Sequence, residues 1–254
     1  MLFLLRQIRR KLLTDNKITT YLLYAVGEIF LVVVGILIAI SIDDWRESST
    51  DALRRQDLLK NLTNEFVVNQ LQMESVLRMD QNAEKAILHL LSIIKSKSEV
   101  GKDSIESLVA MMSQNHTFDP HDGVLNAAIS SGDIRLLQND SLINLLYAWT
   151  SAVKDSDEEE RRMREDYDKF VWPFTHTYIY EADLLKHFLT GSEPSSAYAS
   201  DYQGMVFDKQ FENLMVKRLE LIIDVIDELK GIASSTEQIV ALLRDEHRKD
   251  LKKN

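Results

Sequence analysis

No cysteine occurs anywhere in the chain, and only three prolines and eight glycines are spread over its 254 residues. The missing thiols exclude disulfides, thiolate zinc sites, iron–sulfur clusters and cysteine nucleophiles. So few backbone breakers exclude a collagen-like chain and argue against a sandwich punctuated by Gly/Pro turns. Absent too are a Gly-rich phosphate loop, a nucleophile elbow, a His-Glu-x-x-His pair and a dinucleotide fingerprint. Carboxylates are plentiful, 40 Asp plus Glu against 30 Lys plus Arg for a formal charge of −10. Acid–base chemistry, however, needs a pocket to bring them together. What is left is an all-α chain of long helices, with no cofactor, no metal and no enzymatic activity expected.

Residues 21–42 form an apolar run, interrupted only by Glu28, that is long enough to cross a bilayer core needing about 20 residues. Ala39-Ile40-Ser41 offers small residues that a signal peptidase would accept, but the run exceeds the 7–15 residues or so of a typical signal core, so an uncleaved anchor is expected. Before it, Arg6, Arg9, Arg10, Lys11 and Lys17 alternate with Leu4, Leu5, Ile8, Leu12 and Leu13. This pattern predicts a basic amphipathic segment over 1–20, lying on the anionic headgroups of an inner leaflet. Five cations fall in positions 6–20 and three in 43–57, a bias that places the N-terminus in the cytoplasm and residues 43–254 outside it. Trp45 suits one interfacial belt, Tyr21 and Tyr24 the other. Residues 1–42 hold five cations and two anions, which leaves 25 cations and 38 anions beyond, a net charge of −13. Nucleic acid is therefore not expected as a partner of the outer domain.

Several blocks of sequence carry a family resemblance. They are Arg9-Arg10-Lys11-Leu12-Leu13, Asn16-Lys17, Tyr21-Leu22-Leu23-Tyr24-Ala25-Val26-Gly27-Glu28-Ile29, Val32 to Ala39, Trp45 and, downstream, Ser130 to Asn139. Together they resemble an uncharacterised family of single-pass bacterial inner-membrane proteins. Asp43 and Asp44 stand where amides would be expected from the resemblance. It implies an inner-membrane location and a mostly helical periplasmic domain, and it supplies no activity and no site residue.

Past the membrane, positions 59, 62, 66, 69, 73, 76, 80, 83, 87, 90 and 94 step alternately by three and four, and all are apolar except Asn69 and Asp80. This coiled-coil-like seam predicts one helix over about 48–97, continuous with the membrane helix as a stalk. Residues 99–104, with Gly101, should break it, and a short helical patch should follow over 105–112. Asp119-Pro120 reads as a cap followed by Pro in the first turn, opening a helix that Gly132 stops. A further helix should be capped by Asn139 or Asp140, with Pro173 kinking or ending it. Residues 191–204 read as loop. A last helix over about 207–249 carries its stripe on Phe211, Met215, Leu219, Ile222, Ile226, Leu229, Ile232, Ile239 and Leu243. These lengths predict an up-and-down bundle.

Five features are weighed for function. Glu28 sits about 10 Å inside Tyr21 and shares a stripe with Val32, Gly35 and Ala39. Because Gly35 and Ala39 form a small-xxx-small pair, the stripe is expected to contact another helix; a proton relay and an unpartnered Glu near the headgroups stay open. Asn69 and Asp80 are expected to set register, unless the seam rotates them into water. His116, Asp119, His121 and Asp122 crowd one loop, but their spacing matches no closed metal site, so an ordinary polar loop is expected. His89 should be a packed edge residue. In 157–166 the pairs Asp157/Arg161, Glu158/Arg162 and Glu160/Arg164 stand at i,i+4 and predict a solvated helix face.

The reading these features favour is a membrane-anchored, non-enzymatic interaction or scaffolding protein of the bacterial envelope. Its partners would be the lipid bilayer, other membrane or periplasmic proteins, or its own copies. The alternative is a periplasmic ligand-sensing bundle that signals through a separate protein, because about 20 cytoplasmic residues are too few for an output domain.

Overall fold

A computed structural model of the chain describes residues 18–185, 187 and 196–252. The basic segment before residue 18, together with Gly191 and Pro194, lies outside the described residues. Helix α1 runs Ile18–Ser96, and it runs unbroken because no Pro, and after Gly35 no Gly, interrupts it. Next come α2 (Lys102–Met112), α3 (Gly123–Ser131), a 3-10 turn (Asp133–Leu137) and α4 (Asp140–Asp166). A π turn (Tyr167–Val171), short α5 (Trp172–Thr175), α6 (Glu181–Leu185) and α7 (Tyr202–Val206), and the long α8 (Lys209–Leu251) complete the chain. No strand occurs among the described residues.

The chain divides into two compact units, Met1–Arg55 and Gln56–Asn254. In the first, the apolar side chains of α1 have no core to enter. Phe30, Leu31, Ile36, Ile40 and Trp45 are all more than half exposed. From Ala25 onward this helix is long and apolar enough to cross a membrane, and none of its most apolar window is buried in the rest of the molecule.

In the second unit the seam of α1 is buried from Leu59 to Leu90, Asn69 and Asp80 included at 0% and 1% exposure. Neither polar residue has rotated toward water. At the end of the seam Ile93 is buried while Ile94 only packs against the core. Phe66 of α1 meets Trp149 of α4 at 4.8 Å between ring centroids, and the Trp149 N–H donates to Thr236 Oγ1 of α8 at 2.9 Å. α4 packs along α8, with Asn139 at its start bonded to Glu246 near the end of α8. So α4 runs beside α1 in the same direction and α8 returns antiparallel, an up-and-down arrangement of three long helices. The other descending strut, residues 102–137, is broken into α2, a loop, α3 and the 3-10 turn.

Several boundaries differ from the sequence expectation for local reasons. The end of α1 agrees to within a residue, at Ser96, where Lys97 takes the left-handed conformation at φ 50°. α3 opens at Gly123 rather than Pro120, since its free N–H groups at Val124 and Leu125 are capped by Glu65 of α1 at 2.7 and 3.0 Å. Gly132 does stop it, at φ 83°, and Asn139 caps α4 by accepting from Leu142 N–H at 3.0 Å. Pro173 does not kink α4 directly. The π turn precedes it, with the Trp172 N–H bonded to the Tyr167 carbonyl, and the helical run ends at Thr175. Gly204, expected in a loop, lies in α7, which Asp201 caps. His89 is exposed rather than packed at the seam edge.

Candidate functional site

A helix that stops inside a bundle leaves backbone N–H and C=O groups facing the interior, and each needs a partner. The loop Ser113–Asp122 in the broken strut creates this demand, and the polar residues of the three long helices meet it. Asn69 of α1 clamps His121 from both sides, its amide donating to the carbonyl at 2.7 Å and its oxygen accepting from the N–H at 2.8 Å. Asp80 bonds His116 Nδ1 at 2.8 Å, and His116 Nε2 meets Gln114 Oε1 at 2.8 Å. From α4, Glu160 accepts from Phe118 N–H at 3.1 Å. Arg218 of α8, fully buried, donates to the carbonyls of Met112 (2.8 Å) and Gln114 (2.9 Å) and to Asn115 Oδ1 (2.9 Å), while its guanidinium lies 4.9 Å from the Tyr167 ring centre. The loop is thus pinned from three helices.

This brace decides what the sequence candidates do. His116 is tied to Asp80, and it is the backbone of His121 that is held, so the loop uses these residues for its own geometry. No group of three or more His, Asp or Glu stands ready for a metal ion among the described residues. Glu160 departs from the solvated face expected of 157–166: it is 2% exposed and points at the loop. Its neighbour Arg162 pairs with Glu159 at 3.0 Å and Asp224 at 3.5 Å. In the membrane stripe, Glu28, Val32, Gly35 and Ala39 are all exposed, and a Cβ on Gly35 would meet no atom within 4 Å.

Burial pushes the Glu160 carboxyl up to about 7 from its ordinary 4.5, and nearby Asp80 and Asp119 add to the shift against the Phe118 N–H and Arg164. The folded protein therefore holds this proton more tightly than the unfolded chain does. The resulting stability is fully present below about pH 4.5 and is lost as pH rises through about 7. Glu160→Gln keeps an acceptor for Phe118 and removes the titration. Equilibrium unfolding of both proteins should agree near pH 4.5, and the variant should gain on the parent by roughly 3 kcal/mol by pH 8. Parallel stability-against-pH curves would refute the assignment.

Two clefts open on either side of the α1 stretch that follows Leu59. One, of about 370 Å³, is lined by Asn61, Asn64, Glu65, Val68, His121 and Val124, where α3 docks. The other, of about 350 Å³, lies between Lys60, Thr63 and Asn64 of α1 and Arg244, His247 and Arg248 of α8.

Residues 28–151 match a family of unknown function (DUF6090). The DUF6090 match takes in the membrane stripe, the whole seam, the pinned loop and the first part of α4. Glu160, Arg218 and the α8 wall of the second cleft lie beyond it. Neither a curated protein nor a solved structure matches the chain.

Sequence reading did not single out Glu65, Glu160 or Arg218. A signal for two of them was present. Stepping by three and four along α8 gives 211, 215, 218, 222, 225, 229, 232, 236, 239, 243 and 246, which places Arg218, Thr236 and Glu246 on the buried stripe, as Glu160 falls on that of α4.

Proposed function

We propose that the chain is a membrane-anchored, non-enzymatic interaction protein of the bacterial cell envelope, its N-terminus in the cytoplasm and its helical domain in the periplasm. The observation that carries this reading is the contrast along α1. Phe30, Leu31, Ile36, Ile40 and Trp45 are more than half exposed, whereas the seam residues from Leu59 to Leu90 are buried in a core of their own. Exposed apolar surface on that scale is stable only against lipid or another helix. The buried polar groups also favour a structural role, since Asn69, Asp80, Glu160 and Arg218 all direct hydrogen bonds to one loop.

Interaction runs through two surfaces in this reading, the membrane stripe and the outer bundle. A reporter active only in the periplasm, fused after Asn254, should be active, and activity of a cytoplasm-only reporter there overturns the topology. Gly35→Leu should weaken self-association in a membrane two-hybrid or FRET assay, because its side chain separates two closely packed backbones. Glu28→Gln should do less, since an interhelical hydrogen bond in a bilayer averages only about 0.6 kcal/mol and an amide can still make one. Val34→Leu, on another face, is the control. Equal signals for all three, or none from the parent, rule out self-association through the stripe. A second reading, ligand sensing through a partner protein, is favoured by the cleft between α1 and α8.

A further inference from the structure

The cleft between α1 and α8 has an unusual lining for a domain of net charge −13. Each helix contributes residues at i, i+3 and i+4, so Lys60, Thr63 and Asn64 on one wall face Arg244, His247 and Arg248 on the other. Three permanent cations and a histidine thereby converge on one opening of about 350 Å³, near the lower end of the roughly 300–1,000 Å³ of small-ligand sites.

The acids around it leave most of this charge uncommitted. Asp245 reaches Arg248 at 3.6 Å, but both are more than half exposed, and such a surface pair is weak. Glu246, 8% exposed, turns to Asn139 at 3.0 Å and Lys249 at 2.8 Å. The Thr63 hydroxyl donates to Leu59 O at 2.6 Å, and His247 Nδ1 has no hydrogen-bond partner among the described residues. Gathering like charges in one cleft costs free energy unless a counter-charge fills it. A compact anion with several oxygens relieves that repulsion, and Arg presents paired donors suited to phosphate.

We propose that this cleft is a binding site for a phosphate-bearing anion, with Arg244 and Arg248 gripping the oxygens, Lys60 closing from the opposite wall, and Asn64 and His247 supplying polar contacts. The site stands independently of the anchoring role. The phosphate belongs either to a soluble phosphorylated molecule or to a lipid headgroup, and the two sources separate experimentally.

The test is a calorimetric titration of the full chain in neutral-lipid nanodiscs with inorganic pyrophosphate. One saturable site is expected, accompanied by a rise in melting temperature. Arg244→Gln and Lys60→Gln should each weaken binding about tenfold or more, the order expected for a lost charge-assisted bond, and Arg244→Glu should abolish it. Both positions are exposed, so folding, followed by circular dichroism, should be unchanged. Arg162→Gln, an exposed cation elsewhere on the domain, should leave binding intact. Repeating the titration in nanodiscs containing phosphatidic acid identifies the source. Pyrophosphate binding lost there, and lost competitively, marks a headgroup site; binding retained marks a soluble ligand. No saturable binding, or binding that Arg244→Glu leaves unchanged, overturns the proposal.

Discussion

Arg218→Met should destabilise the helical domain by about 3–5 kcal/mol, a large share of the 5–15 kcal/mol or so that holds a typical domain together. The guanidinium is fully buried and is the donor to two backbone carbonyls and an amide oxygen of the pinned loop. Methionine fills much of the volume but donates nothing. The buried bond to the Met112 carbonyl and the half-buried one to the Gln114 carbonyl are lost, at up to about 1–3 kcal/mol each. The contact with the Tyr167 ring goes as well. Urea unfolding of the full chain in detergent should show a lower midpoint with an unchanged slope. Arg162→Met, which removes an exposed guanidinium from the neighbouring helix, should change stability by no more than about 0.5 kcal/mol. If the two variants lose equal stability, the loop does not depend on Arg218.

Trp149→Ala should cost a comparable amount, about 3–5 kcal/mol, by a different route. The indole is 2% exposed, lies against Phe66 and donates to Thr236, so it touches all three long helices. Truncation opens a cavity among helices that cannot close over it without shifting the seam. Trp149→Phe should lose much less, because the ring contact survives. Thr236 keeps its own bond to the Ile232 carbonyl at 2.8 Å and is not stranded. Thermal unfolding of both variants separates the two losses, and an alanine variant as stable as the phenylalanine one would mean that the bundle collapses around the gap.

The long helices were legible in the sequence because their signal is periodic and local. The alternation of threes and fours through Leu59, Leu62, Phe66 and Met73 predicts a buried face, and Gly132 and Asn139 mark a stop and a start by their own backbone and side-chain chemistry. The start of α3 was illegible for the opposite reason. Asp119-Pro120 is a good local opening, yet the donors of α3 are satisfied by Glu65, 59 and 60 residues away. Glu160 misled for a related reason: its charged neighbours point to a surface, although its place on the α4 stripe turns it inward, and its partner in the loop lies 42 residues away. Asn69 and Asp80 were visible as exceptions in the seam. Their partners in the loop were not, because nothing in a helical repeat says where a different segment has lost its hydrogen bonds. The basic cleft is divided between residues about 184 positions apart in the chain and emerges only when α8 returns beside α1.

The pinned loop also sets an order on folding. Its bonds join residues 36 apart (Asp80 and His116), 42 (Phe118 and Glu160), 52 (Asn69 and His121) and 106 (Met112 and Arg218), so none forms as part of a local helical turn. A repeating apolar seam tolerates sliding by one heptad, roughly 10.5 Å, with little change in what touches what. The loop does not tolerate it, because a slide by α1 parts Asn69 from His121 and Asp80 from His116 together. Early in folding the helices can therefore meet in several alignments, and the loop rejects all but one when it closes. If the loop closes after the transition state, its variants should unfold faster than the parent while folding at nearly the same rate, which stopped-flow kinetics would read. On that expectation the few polar residues of the core act as a lock on residence time in the native state, through a segment that is not helical.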